Sequence, residues 1–185
     1  AASERGKPDI SAPFGFNRII TPHRYDSKII DLLGVKYILS LSDISSPKLK
    51  KVFQEGQTRV YENLNVLPRV FFVKNIITGN TKEEIIENFF SENINLLETA
   101  IIEDKNRFTE LTVGKAEIVE FNVNIIVIKT QNSGDGFLVF TDSFYPTWEV
   151  KIDDKKTKIY RTDYNFRGIF VPKGKHTIEF LIGLL

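Results

Sequence analysis

A chain of 185 residues that is 42% hydrophobic, 26% charged and carries a net charge of +1 has the make-up of a globular protein, with one substantial core or two small lobes. Its lysines are spread among aspartates and glutamates, so there is no clustered cationic face for nucleic acid, and no nucleic-acid partner is expected. The absence of cysteine excludes disulfides, thiolate metal sites and thiol nucleophiles.

No apolar run reaches the roughly 18 residues that a membrane helix needs. No charged-then-apolar signal peptide opens the chain. The chain has no methionine, starts at "AASERGKPDIS" and ends in "IEFLIGLL". We read it as a piece of a longer protein. Its apolar end is either a buried last strand or the approach to a greasier segment.

Residues 1–22 are rich in Pro, Gly and Ser and read as an extended lead-in. "HRYDSKIIDLLG" then places Tyr25, Ile29, Ile30, Leu32 and Leu33 on one helical face, over about 23–33, with Gly34 suited to end the helix. "VKYILSL" alternates as a strand does, and the polar stretch 42–57 with Pro47 suits a loop around a short helical turn. "TRVYEN" and "RVFFVKNIIT" read as strands, interrupted at Pro68. Thr81 and Glu84 form a capping box ahead of Ile85, Ile86, Phe89 and Phe90, predicting a helix over 82–91. "TAIIE" at 99–103 is a further strand.

From about residue 112 the period changes. "AEIVEFNVNIIVIKTQ" predicts a hairpin turning near Asn122–Asn124. "GFLVFTDSF", "WEVKID", "KTKIYR", "RGIFVP" and "KHTIEFLI" follow as short strands, with turns at Asp153–Lys155, Thr162–Asn165 and Pro172–Gly174. Such spacing without intervening helices indicates an antiparallel sandwich or barrel rather than a doubly wound sheet.

Chemistry is sparse. His23 and His176 have no neighbouring ligand cluster, and His176 reads as an edge or turn histidine. There is no nucleophile elbow and no phosphate-cradling loop. Adjacent carboxylates such as Asp153–Asp154 point to opposite faces of a strand, so hairpin turn chemistry explains them better than acid–base work. No catalytic residue, metal ligand or cofactor is expected. The conspicuous feature is the Tyr-Pro-Thr-Trp corner holding the one tryptophan, Trp148. Tyr145, Trp148 and Tyr164 are the candidate carbohydrate contacts, as a stacking platform; the alternative is packing between two sheets, which the size of aromatic rings favours.

The stretch "GFLVFTDSFYPTWEVKIDDKKTKIYRTDYNFRGIFVPKGKHTIEF" resembles the C-terminal signature of the YfhO-like family of multi-pass bacterial and archaeal membrane proteins. Upstream, "LLGVKYILS", "VYENLNVLPRVFFV" and "INLLETAIIE" resemble further family segments in the same order, so the likeness covers about residues 29–182. Thr147 and Asp154 stand where the family has glycine, which predicts a loop over Asp153–Lys156 longer than a two-residue turn. The resemblance implies a GT-C-like membrane glycosyltransferase that uses a polyprenyl-phosphate sugar. Its membrane helices and catalytic carboxylate would lie outside these residues.

The combined expectation is an α+β, mainly β chain. A jelly-roll-like antiparallel β-sandwich portion over 111–185 would share a core with a small α/β subdomain over 23–110. By the resemblance, this is an extracytoplasmic, non-catalytic domain that supports the protein or presents an acceptor glycan. Its partners would be the transmembrane part of its own full-length chain and a cell-surface glycan. The alternative is a carbohydrate-binding β-sandwich module.

Overall fold

The computed structural model describes residues 25–104 and 110–182; the lead-in expected over 1–22 lies outside them. Contacts divide the chain into two compact units, one up to Leu67 and one from Pro68.

The first unit is small. Ser27 caps helix α1 (Lys28–Leu32) by accepting a hydrogen bond from the Ile29 N–H, and Gly34 at φ +71° ends the turn as expected. Strands β1 (Tyr37–Ser40), β2 (Leu49–Glu55) and β3 (Thr58–Asn63) form an antiparallel sheet in the order β1-β3-β2. Strand β2 replaces the loop expected over 42–57. It escaped notice because only Leu49 is buried, and a bulge at Val52 breaks its alternation. Ile38, Leu49 and Tyr61 form a core packed by Tyr25, Ile30, Val35 and Ile44. Beside it the buried Asp31 carboxylate accepts from Lys48 Nζ at 2.8 Å and Asn63 Nδ2 at 2.9 Å. Asn63, part of the Tyr-Glu-Asn segment, therefore ties helix to sheet.

The second unit is mainly β and built from two sheets. Strand β4 (Val70–Val73) is followed by β5 (Asn75–Gly79), α2 (Lys82–Phe90) and β6 (Thr99–Glu103). The expected capping box forms: Thr81 Oγ1 accepts from the Glu84 N–H, while the Glu84 carboxylate accepts from the Asn80 N–H. Strands β5 and β6 pair in parallel, joined by α2, which packs on both through Ile85 and Phe89. Then come β7 (Lys115–Phe121), β8 (Ile125–Asn132), β9 (Gly136–Ser143), β10 (Trp148–Ile152), β11 (Lys155–Thr157), β12 (Tyr160–Thr162), β13 (Phe166–Val171) and β14 (Gly174–Ile182). The six-stranded sheet runs β4-β9-β13-β12-β6-β5 and the five-stranded sheet β11-β10-β14-β8-β7.

Two expected strands prove to be pairs. "RVFFVKNIIT" breaks at Lys74, and the N–H groups of Lys74 and Asn75 both donate to the Glu98 carbonyl, sending β4 and β5 to opposite edges of one sheet. "KTKIYR" breaks at Lys158–Ile159 and changes sheet. The change of period near residue 112 marks a switch from a parallel crossover to antiparallel connections, all within the second unit.

Between the sheets lies one core: Phe72, Leu138, Phe140, Ile169 and Val171 from one side meet Ile126, Ile128, Val150, Ile178 and Phe180 from the other. The opposite face of the six-stranded sheet carries Phe137, whose ring meets Phe170 and Tyr160 edge-on. That ring crosses directly over Gly168, where an added Cβ would fall inside the radii of Phe137 and Thr162 Oγ1. Gly168→Ala therefore forces the ring aside, and urea denaturation should register a loss of about 2 kcal/mol.

Asp153 and Asp154 both adopt positive φ (47° and 67°), and Ile152 pairs directly with Lys155. The hairpin is thus a two-residue turn, not the longer loop expected from the missing glycine. Aspartate tolerates the left-handed region, and the Asp153 carboxylate is pinned there, as described below. Thr147, by contrast, is not among the positive-φ residues, so its lack of glycine costs nothing there.

Candidate functional site

The tryptophan corner is built by an irregularity. Along the β9–β13 ladder Phe166 faces Ser143, but Arg167 faces Phe140, so the register skips Thr141 and Asp142. The skip turns Arg167 into the core. Its side chain is 2% exposed, with Nε donating to the Ser143 carbonyl at 2.9 Å and Nη2 lying 3.5 Å from Asp142. The guanidinium stacks 3.9 Å from the Trp148 ring, with Phe140 and Phe180 behind at 5.4 and 5.6 Å. Burial pulls the Arg167 pKa down to about 10, opposed by the attraction of Asp142. Nη1 has no hydrogen-bond partner. Trp148 belongs to the five-stranded sheet and Arg167 to the six-stranded one, so this stack fastens sheet to sheet.

The three residues singled out as carbohydrate contacts lie at this same end but in different settings. Trp148 is half-buried, packed on the core and covered on one ring face by the guanidinium. Tyr145, three residues earlier, is 64% exposed, and its carbonyl accepts from the Trp148 N–H. Tyr164 is 48% exposed in the β12–β13 turn at φ +77°, with Arg161 5.8 Å from its ring.

Sequence reading passed over two charged groups here. Arg167 left one trace, a cation inside the apolar run "FRGIFV". Asp163, beside Tyr164, is wholly buried; its Oδ1 accepts from the Ile101 N–H at 2.8 Å and its Oδ2 has no partner. Burial raises its pKa to about 7, against the lowering by the Ile101 hydrogen bond.

At the opposite end, Asp153 accepts from the Thr177 N–H at 2.9 Å and from His176 Nδ1 at 2.6 Å. His176 Nε2 lies 3.2 Å from the Lys173 carbonyl. With acceptors at both ring nitrogens, the imidazolium is the form that satisfies them, and the hydrogen bond to Asp153 raises the His176 pKa. A folded pKa above the unfolded 6.5 stabilises fully below 6.5 and is lost as pH climbs through the folded value. His176→Gln should flatten that limb of a denaturation-against-pH curve while leaving stability above it nearly unchanged. The clamp borders an open groove of about 780 Å³ along β7, β8 and β14, where Lys115, Lys129 and Lys175 alternate with Glu117.

Among the described residues no group of three or more His, Asp or Glu side chains could hold a metal ion, and no helix is long and apolar enough to cross a membrane. Residues 105–181 match the model of a family described as bacterial membrane protein YfhO. Over that stretch the chain is similar to this family. It is 29% identical over 90 residues to the uncharacterized protein YfhO of Bacillus subtilis (strain 168), a stretch that covers 49% of this chain and 10% of the relative. The chain thus spans a small part of the curated relative it matches. No solved structure matches it. Three of the motifs the resemblance rested on make internal contacts: Trp148 of the Tyr-Pro-Thr-Trp corner, Arg167 of the Phe-Arg step, and the His-Thr pair at 176–177.

Proposed function

We propose that this chain is a non-catalytic extracytoplasmic domain of a polytopic, glycosyltransferase-like membrane protein that works from a polyprenyl-phosphate sugar, and that it supports the membrane part or presents the acceptor glycan. One observation carries the reading: the side chains that identify the family are engaged inside the fold. Trp148 is capped by Arg167, Arg167 is closed off in the core, and His176 is clamped by Asp153. Groups so engaged hold strands and sheets together; they are not poised over a reacting atom. The membrane family match supplies the context.

The test is direct. The purified 185-residue chain, given a polyprenyl-phosphate sugar and an acceptor, should release no carrier phosphate above background. Measurable transfer or hydrolysis by this chain alone would overturn the reading.

A second reading, a carbohydrate-binding module, draws on the exposure of Tyr145 and Tyr164. It predicts glycan-array binding that Tyr145→Ala or Tyr164→Ala abolishes without loss of stability, with Trp148 contributing packing only.

A further inference from the structure

The two ends of the sandwich differ in chemistry. At one end the turns are Asp153–Asp154, Ser133–Gly134–Asp135 and Pro172–Lys173, flanked by Lys155 and Lys175, mostly polar or charged, with Val113 exposed beside Asp135. At the other end lie the loops around the tryptophan corner: Asn122–Val123–Asn124, Phe144–Tyr145–Pro146–Thr147 and Asp163–Tyr164–Asn165. These loops contain no lysine and no glutamate, and their one aspartate, Asp163, is buried.

What the second end presents instead is apolar and aromatic. Val123 at the β7–β8 tip is 86% exposed and Phe121 beside it 51%, in addition to Tyr145 and Tyr164. The Ile182 N–H donates to the Asn124 carbonyl, so β14 brings the exposed Ile182 to the same tip. Arginines frame the rim: Arg69 sits 4.9 Å from the Phe121 ring, and Arg161 stacks on Tyr164.

Five large hydrophobic side chains are exposed at this end, against Val113 at the other, and a grouping of that kind marks an interaction surface. Their kind narrows the occupant. Tyrosines with apolar bodies and polar tips, aliphatic side chains at the extremity, and arginines set back from them make up the composition of the bilayer's interfacial layer. We infer that this end of the sandwich seats in the headgroup–acyl boundary of a lipid bilayer, with Val123 deepest and the arginines at phosphate level. The inference rests on the membrane-family match and not on the lack of catalysis, so the outcome of the transfer assay leaves it untouched.

A cysteine-free chain makes the test clean. Val123→Cys and, as a polar-end control, Asp154→Cys are each labelled with an environment-sensitive fluorophore and mixed with phosphatidylcholine vesicles, with and without phosphatidylglycerol. The label at 123 should brighten about twofold or more and be quenched by acyl-chain nitroxides, while the label at 154 stays unchanged. In flotation, Val123→Asp should lower the vesicle-bound fraction about tenfold, the loss expected when a buried valine is replaced by a charge. A label at 123 as indifferent to vesicles as the one at 154 would overturn the inference. So would shielding of position 123 by soluble glycan alone, which would assign this rim to a sugar.

Discussion

Trp148→Ala should lower the unfolding free energy by about 3 kcal/mol, the lower part of the range for removing a large aromatic from packing, since the indole is half-buried. The loss has two parts. One is the apolar contact of the ring with the inter-sheet core. The other is the stack on Arg167, a guanidinium that is buried and already has one nitrogen without a partner. Removing its aromatic lid leaves a charge facing a void, and the arrangement that balanced it across the sheets is gone. Trp148→Phe keeps a ring over the guanidinium and should recover most of the loss. Because Trp148 is the one tryptophan, the comparison needs circular dichroism or calorimetry in place of intrinsic fluorescence. A stable Trp148→Ala variant that had lost glycan binding would reverse the assignment of this residue from fastening to recognition.

Asp163→Asn should leave stability unchanged near pH 3.5 and raise it by up to about 4 kcal/mol at pH 8. The unfolded carboxyl ionises near 3.8, whereas in the folded chain burial keeps it protonated to about 7. Between those values folding takes up a proton, so stability falls as pH rises from about 4 to 7 and then levels off. Holding the carboxyl neutral from 3.8 up to about 7 is equivalent to about 4 kcal/mol at most. The neutral carboxyl and the amide place the same kind of group at each position: an oxygen for the Ile101 N–H and a donor where Oδ2 stands. Asparagine also tolerates the positive φ of 47° at this turn. The variant therefore removes the charging cost and little else. The descending limb separates this effect from that of His176, which begins above pH 6.5. Identical pH profiles for the variant and the parent would mean that the folded carboxyl ionises as freely as the unfolded one.

Local chemistry made much of the chain legible. The capping box at Thr81–Glu84 announced α2 because both partners lie within one turn. Strands β3 and β6 follow their apolar runs residue for residue. The mainly β, antiparallel class of the C-terminal half came from turn spacing alone. What stayed hidden depends on partners distant in sequence. Strand β2 has one buried side chain and is a strand because β3 offers it a ladder. The break in "KTKIYR" exists because Lys155–Thr157 pairs with β10 while Tyr160–Thr162 pairs with β13. Turn statistics favour glycine at position 154, yet a carboxylate neighbour anchored to the Thr177 N–H holds a two-aspartate turn. Arg167 reads in sequence as a surface cation on a strand; the two-residue skip opposite it, invisible beforehand, sends it inward.

The placing of β4, β5 and β6 governs when this domain can acquire its form on the ribosome. Strand β4 ladders with β9, and β6 meets β12 through Thr162. The residues from Val70 to Glu103 thus emerge tens of positions ahead of the strands that complete their hydrogen bonds. Until β9 and β12–β13 have been made, the nascent chain holds a parallel pair and a helix with no finished sheet to join, whereas β7 and β8 close locally as soon as they appear. A stalled or shortened chain that ends before β9 would therefore display bare apolar edges of the kind chaperones capture.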